Sequence, residues 1–90
     1  MRYSKLALAE LDVILNTIAA EDPGAAARFE GRVRRVVERI GRFPEGARKV
    51  DGRPGVFRVP LVRYPYVIYY SVIQGEVTIL RLLHGARDRA

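Results

Sequence analysis

The sequence predicts an α+β fold: a short N-terminal strand, an antiparallel helical hairpin and a three-stranded antiparallel C-terminal sheet. Ninety residues leave room for one hydrophobic core, so we predict a single domain over residues 1–90. In the first half of the chain, apolar side chains recur at helical spacing. After residue 55 they lie in short runs rich in β-branched and aromatic residues, which is typical of strands.

A cap and an apolar stripe predict the first helix. Residues 2–4 suit a short strand, and Ser4 is a favourable residue to cap a helix that follows it. We expect this helix to fade around Ala20. Its apolar side chains recur at the spacing of an amphipathic helix, and they are Leu11, Ile14, Leu15 and Ile18.

The second helix is predicted to begin at Asp22-Pro23. Aspartate accepts hydrogen bonds from the unpaired N–H groups of a first turn, and proline needs no N–H there. Gly41 is predicted to end the helix, since glycine tolerates a left-handed conformation. Because the connection is short, the two helices should form an antiparallel hairpin. The apolar side of the second helix consists of Ala26, Phe29, Val33, Val36, Val37 and Ile40.

The last third of the chain predicts an antiparallel meander. Residues 42–55 contain five glycines and prolines and are expected to be a loop. Short connections between the strands that follow favour antiparallel pairing. The helical hairpin covers only one face of such a sheet, so the other face meets water or a partner. The predicted strands are residues 56–59, 66–73 and 77–83, with Pro60 at an edge or bulge and a tight turn at 74–76.

Charge and composition restrict the function classes. Sixteen basic residues, fourteen of them arginine, stand against ten acidic ones, for a net charge of +6. Such a surface suits nucleic acid or an acidic protein segment. No cysteine is present and His84 is the one histidine, which argues against a disulfide scaffold, a metal site or another cofactor. No apolar run is long enough for a membrane span. We expect a cytoplasmic protein.

Arginines at positions i, i+4, i+7 and i+11 form a stripe along the second helix. The stripe is either a surface for phosphates or acidic partners, or a solvated face with local ion pairs such as that of Glu30 with Arg34. The sequence leaves both interpretations open. The four arginines are Arg28, Arg32, Arg35 and Arg39.

Tyrosines concentrate in and before the longest strand. Tyr66 and Tyr70 share one strand face and Tyr69 points to the other. Such rings either stack on bases or fill the core, and core filling is the better account of Tyr69 and Tyr70. Tyr64 and Phe57 complete the aromatic group.

His84 and Arg87 follow the last predicted strand. A histidine there is either a general acid or base, with Arg87 holding a phosphate or carboxylate, or an anchor for the C-terminal backbone. The sequence contains no serine–histidine–aspartate set and no phosphate-binding glycine loop. From the residues alone, the anchoring role is favoured.

Several strings, in this order, resemble the ParE/RelE superfamily of bacterial toxin–antitoxin toxins. The most specific is the segment 77–88, which ends in His84-Gly85-Ala86-Arg87-Asp88. The resemblance covers nearly the whole chain and implies the same α+β fold. The other matching strings are Ala9-Glu10-Leu11-Asp12, Asp22-Pro23, Phe43-Pro44, Phe57-Arg58-Val59 and residues 64–70.

The resemblance implies one of two activities. RelE-like members are metal-independent, ribosome-dependent mRNA endoribonucleases, and their basic set matches this chain only at Arg58 and Arg87. Pro60 and Tyr66 stand where those nucleases carry a lysine and an arginine, and no tyrosine follows Arg87. His84 is a substitute acid in this alternative, whose site is Arg58, His84 and Arg87.

The ending of the chain favours the ParE-like branch, whose members bind and poison DNA gyrase rather than act as enzymes. The resemblance then implies a plasmid-stabilisation module in which a cognate ParD-like antitoxin neutralises the toxin, as a homodimer or a toxin–antitoxin heterotetramer. Direct nucleic-acid binding stays open. The expected contacts are Arg28, Arg32, Arg35, Arg39, Arg58, Tyr66, Arg81, His84 and Arg87.

Overall fold

Two helices and five strands make up residues 1–85, the part of the chain that the computed structural model describes. The prediction that involves Arg87 therefore lies outside the described residues. In chain order the elements are β1 (Arg2–Tyr3), α1 (Lys5–Glu21), α2 (Pro23–Arg42), β2 (Arg48–Lys49), β3 (Val56–Pro60), β4 (Tyr66–Ile73) and β5 (Glu76–His84).

The strands form one mixed sheet in the order β1-β5-β4-β3-β2. The predicted α+β class and the antiparallel β3-β4-β5 meander are confirmed. Two details differ from the prediction. β1 joins the sheet by parallel pairing with β5, and the segment predicted as loop contributes β2, where Arg48 pairs with Arg58 and Lys49 with Phe57. A two-residue strand has no periodic pattern of its own, so only its pairing reveals it.

The helices begin where the sequence predicts. The Ser4 hydroxyl accepts a hydrogen bond from the Ala7 N–H at 3.0 Å, and the Asp22 carboxylate accepts two from the first turn of α2. The C-terminal end of α2 differs from the prediction, because Gly41 lies inside the helix and Phe43 ends it. Pro44 is the physical reason, because the proline ring disfavours helical conformation at the residue before it.

Both helices cover one face of the sheet. Ile68 and Tyr70 of β4 join the main core, whereas Val67 and Tyr69 alternate to the other face. Core filling is therefore confirmed for Tyr70 and wrong for Tyr69, because the two tyrosines are adjacent on one strand. The two-residue turn between β4 and β5 has positive φ at Gln74 (51°) and at a following glycine (78°), as a type I′ turn requires. Neither helix within residues 1–85 is long and apolar enough to cross a membrane.

Candidate functional site

Glu10 of α1 binds β5 at the edge that is not paired with β4. Its carboxylate accepts hydrogen bonds from the Arg81 guanidinium, the shortest at 2.7 Å, and from the Leu82 N–H at 2.9 Å. The hydrogen bonds from the guanidinium to Glu10, together with the charge of Glu10, raise the pKa of Arg81 above its ordinary value. Ser4 binds the same edge one residue before Arg81, since its hydroxyl donates to the Leu80 carbonyl at 2.8 Å. Arg81, which the sequence analysis expects to contact a partner, thus forms an ion pair with Glu10 of the same chain.

Arg58 and His84 lie on opposite faces of the sheet. Arg58 pairs with Tyr69, and His84 pairs with Tyr66. Directly paired residues share a face, and Tyr66 and Tyr69 are an odd number of positions apart in a regular stretch of β4. The register shift in the β4–β5 pairing lies between Tyr69 and Tyr70, outside the stretch from Tyr66 to Tyr69. The structure therefore does not bring Arg58 and His84 together.

His84 instead lies beside Tyr66. The two rings are 5.3 Å apart in an edge-to-face arrangement, and Tyr66 in turn contacts Phe29 at 5.5 Å. His84 is solvent-exposed at one end of a groove of about 520 Å³ between α1 and β5. In residues 1–85 no group of three or more histidine, aspartate or glutamate side chains is placed to hold a metal ion. The rest of the groove is lined by Ala9, Glu10, Val13, Ile14, Leu82 and Leu83.

The arginine stripe of α2 combines both interpretations of the sequence. Arg28 lies 3.7 Å from the Asp22 carboxylate, and the guanidinium of Arg39 lies over the Phe43 ring at 5.6 Å. The expected local pair of Glu30 and Arg34 is present at 3.9 Å. These contacts are exposed and contribute little stability. Local partners therefore account for the two ends of the stripe but not for its middle.

The middle of the stripe, Arg32 and Arg35, faces a second groove. Its opposite wall is the connection between β3 and β4, which contributes Val62, Arg63 and Tyr64. Sequence reasoning missed Val62 and Arg63 as site residues, since a short loop has no periodicity. Their proximity to α2 is a tertiary property that no local pattern reports. We name this space the α2 groove; Ala27, Arg28 and Gly31 also line it.

Comparison with known proteins finds a matching family, two similar proteins and a similar solved structure. A family model describing the ParE toxin of the type II toxin-antitoxin system parDE matches residues 1–89. Putative toxin Y4kP of Sinorhizobium fredii is 34% identical over 89 residues, covering 94% of this chain and 86% of that protein. Toxin RelE2 of Caulobacter vibrioides is 36% identical over 81 residues, covering 90% and 89%. A solved structure titled chromosomal ParDE TA system from P. aeruginosa matches with a TM-score of 0.79 and 25% identity, over 92% of this chain and 91% of that one.

Proposed function

The chain belongs to the ParE family of type II toxin–antitoxin toxins, and from this premise we propose that it poisons DNA gyrase by binding it. A toxin of this family has an antitoxin partner, and the similar P. aeruginosa structure is titled as a ParDE system. We further propose that this partner is a ParD-like protein that neutralises the toxin by covering its binding surfaces, and that both act in the cytoplasm.

The separation of Arg58 from His84 carries the proposal. Metal-independent RNA cleavage needs a proton-transfer group and a phosphate-binding cation around one ribose and its phosphate. Each such group contributes roughly 10²–10⁴-fold to the rate. With Arg58 and His84 on opposite faces and Arg81 bound to Glu10, the described surface favours binding over cutting.

Gyrase assays test the proposal directly. Purified toxin is mixed with gyrase, ATP and relaxed plasmid, and supercoiled product and cleaved DNA are quantified on gels. We expect supercoiling to fall and cleavage complexes to accumulate. Relaxation by topoisomerase I is the matched control, because a protein of charge +6 that merely coats DNA would inhibit both enzymes. Unchanged supercoiling and cleavage would contradict the proposal.

The similarity to a protein named Toxin RelE2 supports a second candidate function, that of a ribosome-dependent mRNA endoribonuclease. Primer extension on translating mRNA distinguishes the two. Cuts at fixed codon positions that disappear in Arg87→Ala, but persist in the control Arg42→Ala on the exposed end of α2, would establish the nuclease instead. We expect no such cuts.

A further inference from the structure

We propose that two copies of this chain associate through the outer face of α1, with the two helices antiparallel about a two-fold axis at Ala9. The outer face is the solvent-exposed side of α1, which neither the sheet nor α2 covers. The proposal goes beyond the proposed function, because it concerns contacts between two toxin molecules. The residues of the outer face are Lys5, Leu6, Ala9, Asp12 and Val13, and all five are exposed.

The outer face exposes large apolar side chains. Val13 is 64% exposed and Leu6 is 49% exposed, although the solvent side of a surface helix is normally polar. Val13 also lines the groove between α1 and β5, so the apolar surface continues from the outer face to Leu82 and Leu83. Contiguous exposed apolar surface marks a site of association with another protein.

Helical geometry makes the outer face complementary to itself. At about 100° per residue, Ala9 lies at the centre of the face, Lys5 and Asp12 lie along one flank, and Leu6 and Val13 lie along the other. In an antiparallel pair centred on Ala9, each flank meets the same flank of the second copy. Lys5 then faces the partner's Asp12, and Leu6 faces the partner's Val13, each pair offset along the helix by about 1.5 Å, the rise of one residue.

Lys5 and Asp12 have no ion-pair partner within one molecule. Among residues 1–85, no oppositely charged group lies within 4.0 Å of either side chain. The two residues are seven positions apart on one helix, too far to pair with each other. The antiparallel dimer supplies two Lys5–Asp12 pairs related by the two-fold axis. Exposed pairs of this kind contribute little affinity, but they fix the register of an interface.

The charge of α1 favours a second copy as the occupant. The segment 5–21 contains one basic residue, three acidic residues and no arginine, whereas the chain as a whole has a charge of +6. Two such molecules approach each other at the lowest electrostatic cost through a region poor in arginine, and a nucleic acid is attracted elsewhere. The small side chain of Ala9 at the centre lets the two helices approach closely.

Sedimentation velocity of the purified toxin over a range of concentrations tests the interface. We expect the wild type to dimerise. Ala9→Glu places two carboxylates against each other at the two-fold axis and should raise the dissociation constant by about tenfold or more. The matched control is Ala27→Glu, the same change at an exposed position of α2, which should alter the constant less than about twofold. Circular dichroism checks that both variants are folded.

Lys5→Glu and Asp12→Lys test the register. Alone, each variant brings like charges together and should dimerise about tenfold more weakly than the wild type. Mixed in equal amounts, the two variants should associate with each other as tightly as the wild type does, because both flanking pairs then join opposite charges. Weak single variants and a recovered mixture together require that Lys5 faces the partner's Asp12.

Three results would overturn the proposal: a wild type that stays monomeric at every concentration, equal weakening by Ala9→Glu and Ala27→Glu, or no recovery in the mixture. A monomeric wild type whose Ala9→Glu variant no longer inhibits gyrase would assign the outer face to gyrase instead. Because sedimentation uses the toxin alone, failure here leaves the gyrase proposal intact, and failure of the supercoiling assay leaves the dimer intact.

Discussion

Glu10 accepts hydrogen bonds from two different groups of β5, the Arg81 guanidinium and the Leu82 N–H. Its side chain is 17% exposed, so water replaces few of these bonds when they are lost. We expect Glu10→Gln to lower the free energy of unfolding by about 2 kcal/mol, measured by urea denaturation at neutral pH.

Glu30→Gln is the matched control for this prediction. Glu30 pairs with Arg34 at 3.9 Å on an exposed helix surface, and such pairs contribute less than about 1 kcal/mol. Equal destabilisation by the two variants would show that Glu10 contributes no more than a surface charge.

Tyr70 links the core to the loop after α2, and its hydroxyl makes the free energy of unfolding depend on pH in the alkaline range. Its hydroxyl donates to the Pro44 carbonyl at 2.7 Å, and its ring stacks on Phe57 at 5.3 Å. Burial raises the pKa of Tyr70 above 10.0, against a smaller lowering by a hydrogen bond from the Ala47 backbone. Burial acts in the same direction on the pKa of Tyr3, opposed by the charge of Arg34.

The sign of the pH dependence follows from these shifts. Well below pH 10.0 Tyr70 is protonated in both the folded and the unfolded chain, and its contribution to stability is fully present. As pH rises further the unfolded chain loses its proton first, so stability falls until the folded pKa is passed. We expect Tyr70→Phe to cost about 1 kcal/mol at neutral pH and to flatten the decline between about pH 9 and 11, measured by denaturant titration at each pH. Identical alkaline slopes in both proteins would refute this.

At the scale of elements, Asp22 is both the C-cap of α1 and the N-cap of α2. Its N–H donates to Ile18 at the end of α1, while its carboxylate caps Gly24 and Ala25 of α2. We expect Asp22→Ala to lower stability by about 1 kcal/mol in thermal unfolding, through the loss of the cap. Glu21→Ala, one residue earlier, is the control and should leave the transition nearly unchanged.

The β4–β5 turn offers a stabilising substitution. Gln74 has a φ of 51°, a conformation in which asparagine is favoured over other side chains. Gln74→Asn should therefore raise the free energy of unfolding by about 0.5 kcal/mol, as judged by the urea midpoint. A lower midpoint would show that the Gln74 side chain contributes contacts outweighing its backbone cost.

At the scale of the whole molecule, the sheet should open from one edge. β4 lies at the centre, paired on both sides, whereas β2 is an exposed two-residue strand at the edge. Native-state hydrogen exchange should thus find the slowest amides in β4 and its β5 partners, and fast exchange in β2 and residues 50–55. Slow exchange in β2 would contradict this order.

Much of the secondary structure was predictable because its causes are local. Ser4 and Asp22 cap helices through atoms two or three residues away, and the strand pattern around Ile68 needs only its neighbours. The end of α2 was misplaced because the steric effect of Pro44 on the conformation of Phe43 outweighs the general preference for glycine after a helix. Sequence also identified the arginine stripe, since helical spacing places its members on one side.

Local sequence thus determined the α+β class, the starts of both helices and, through resemblance, the toxin family. Only the tertiary structure decided which charged side chains form ion pairs within the fold and which remain available to a partner. It paired Arg81 with Glu10, put Arg58 and His84 on opposite faces, and brought Arg63 to Arg32. These outcomes join groups distant in the chain, and their free energies depend on packing and burial, which no local pattern encodes.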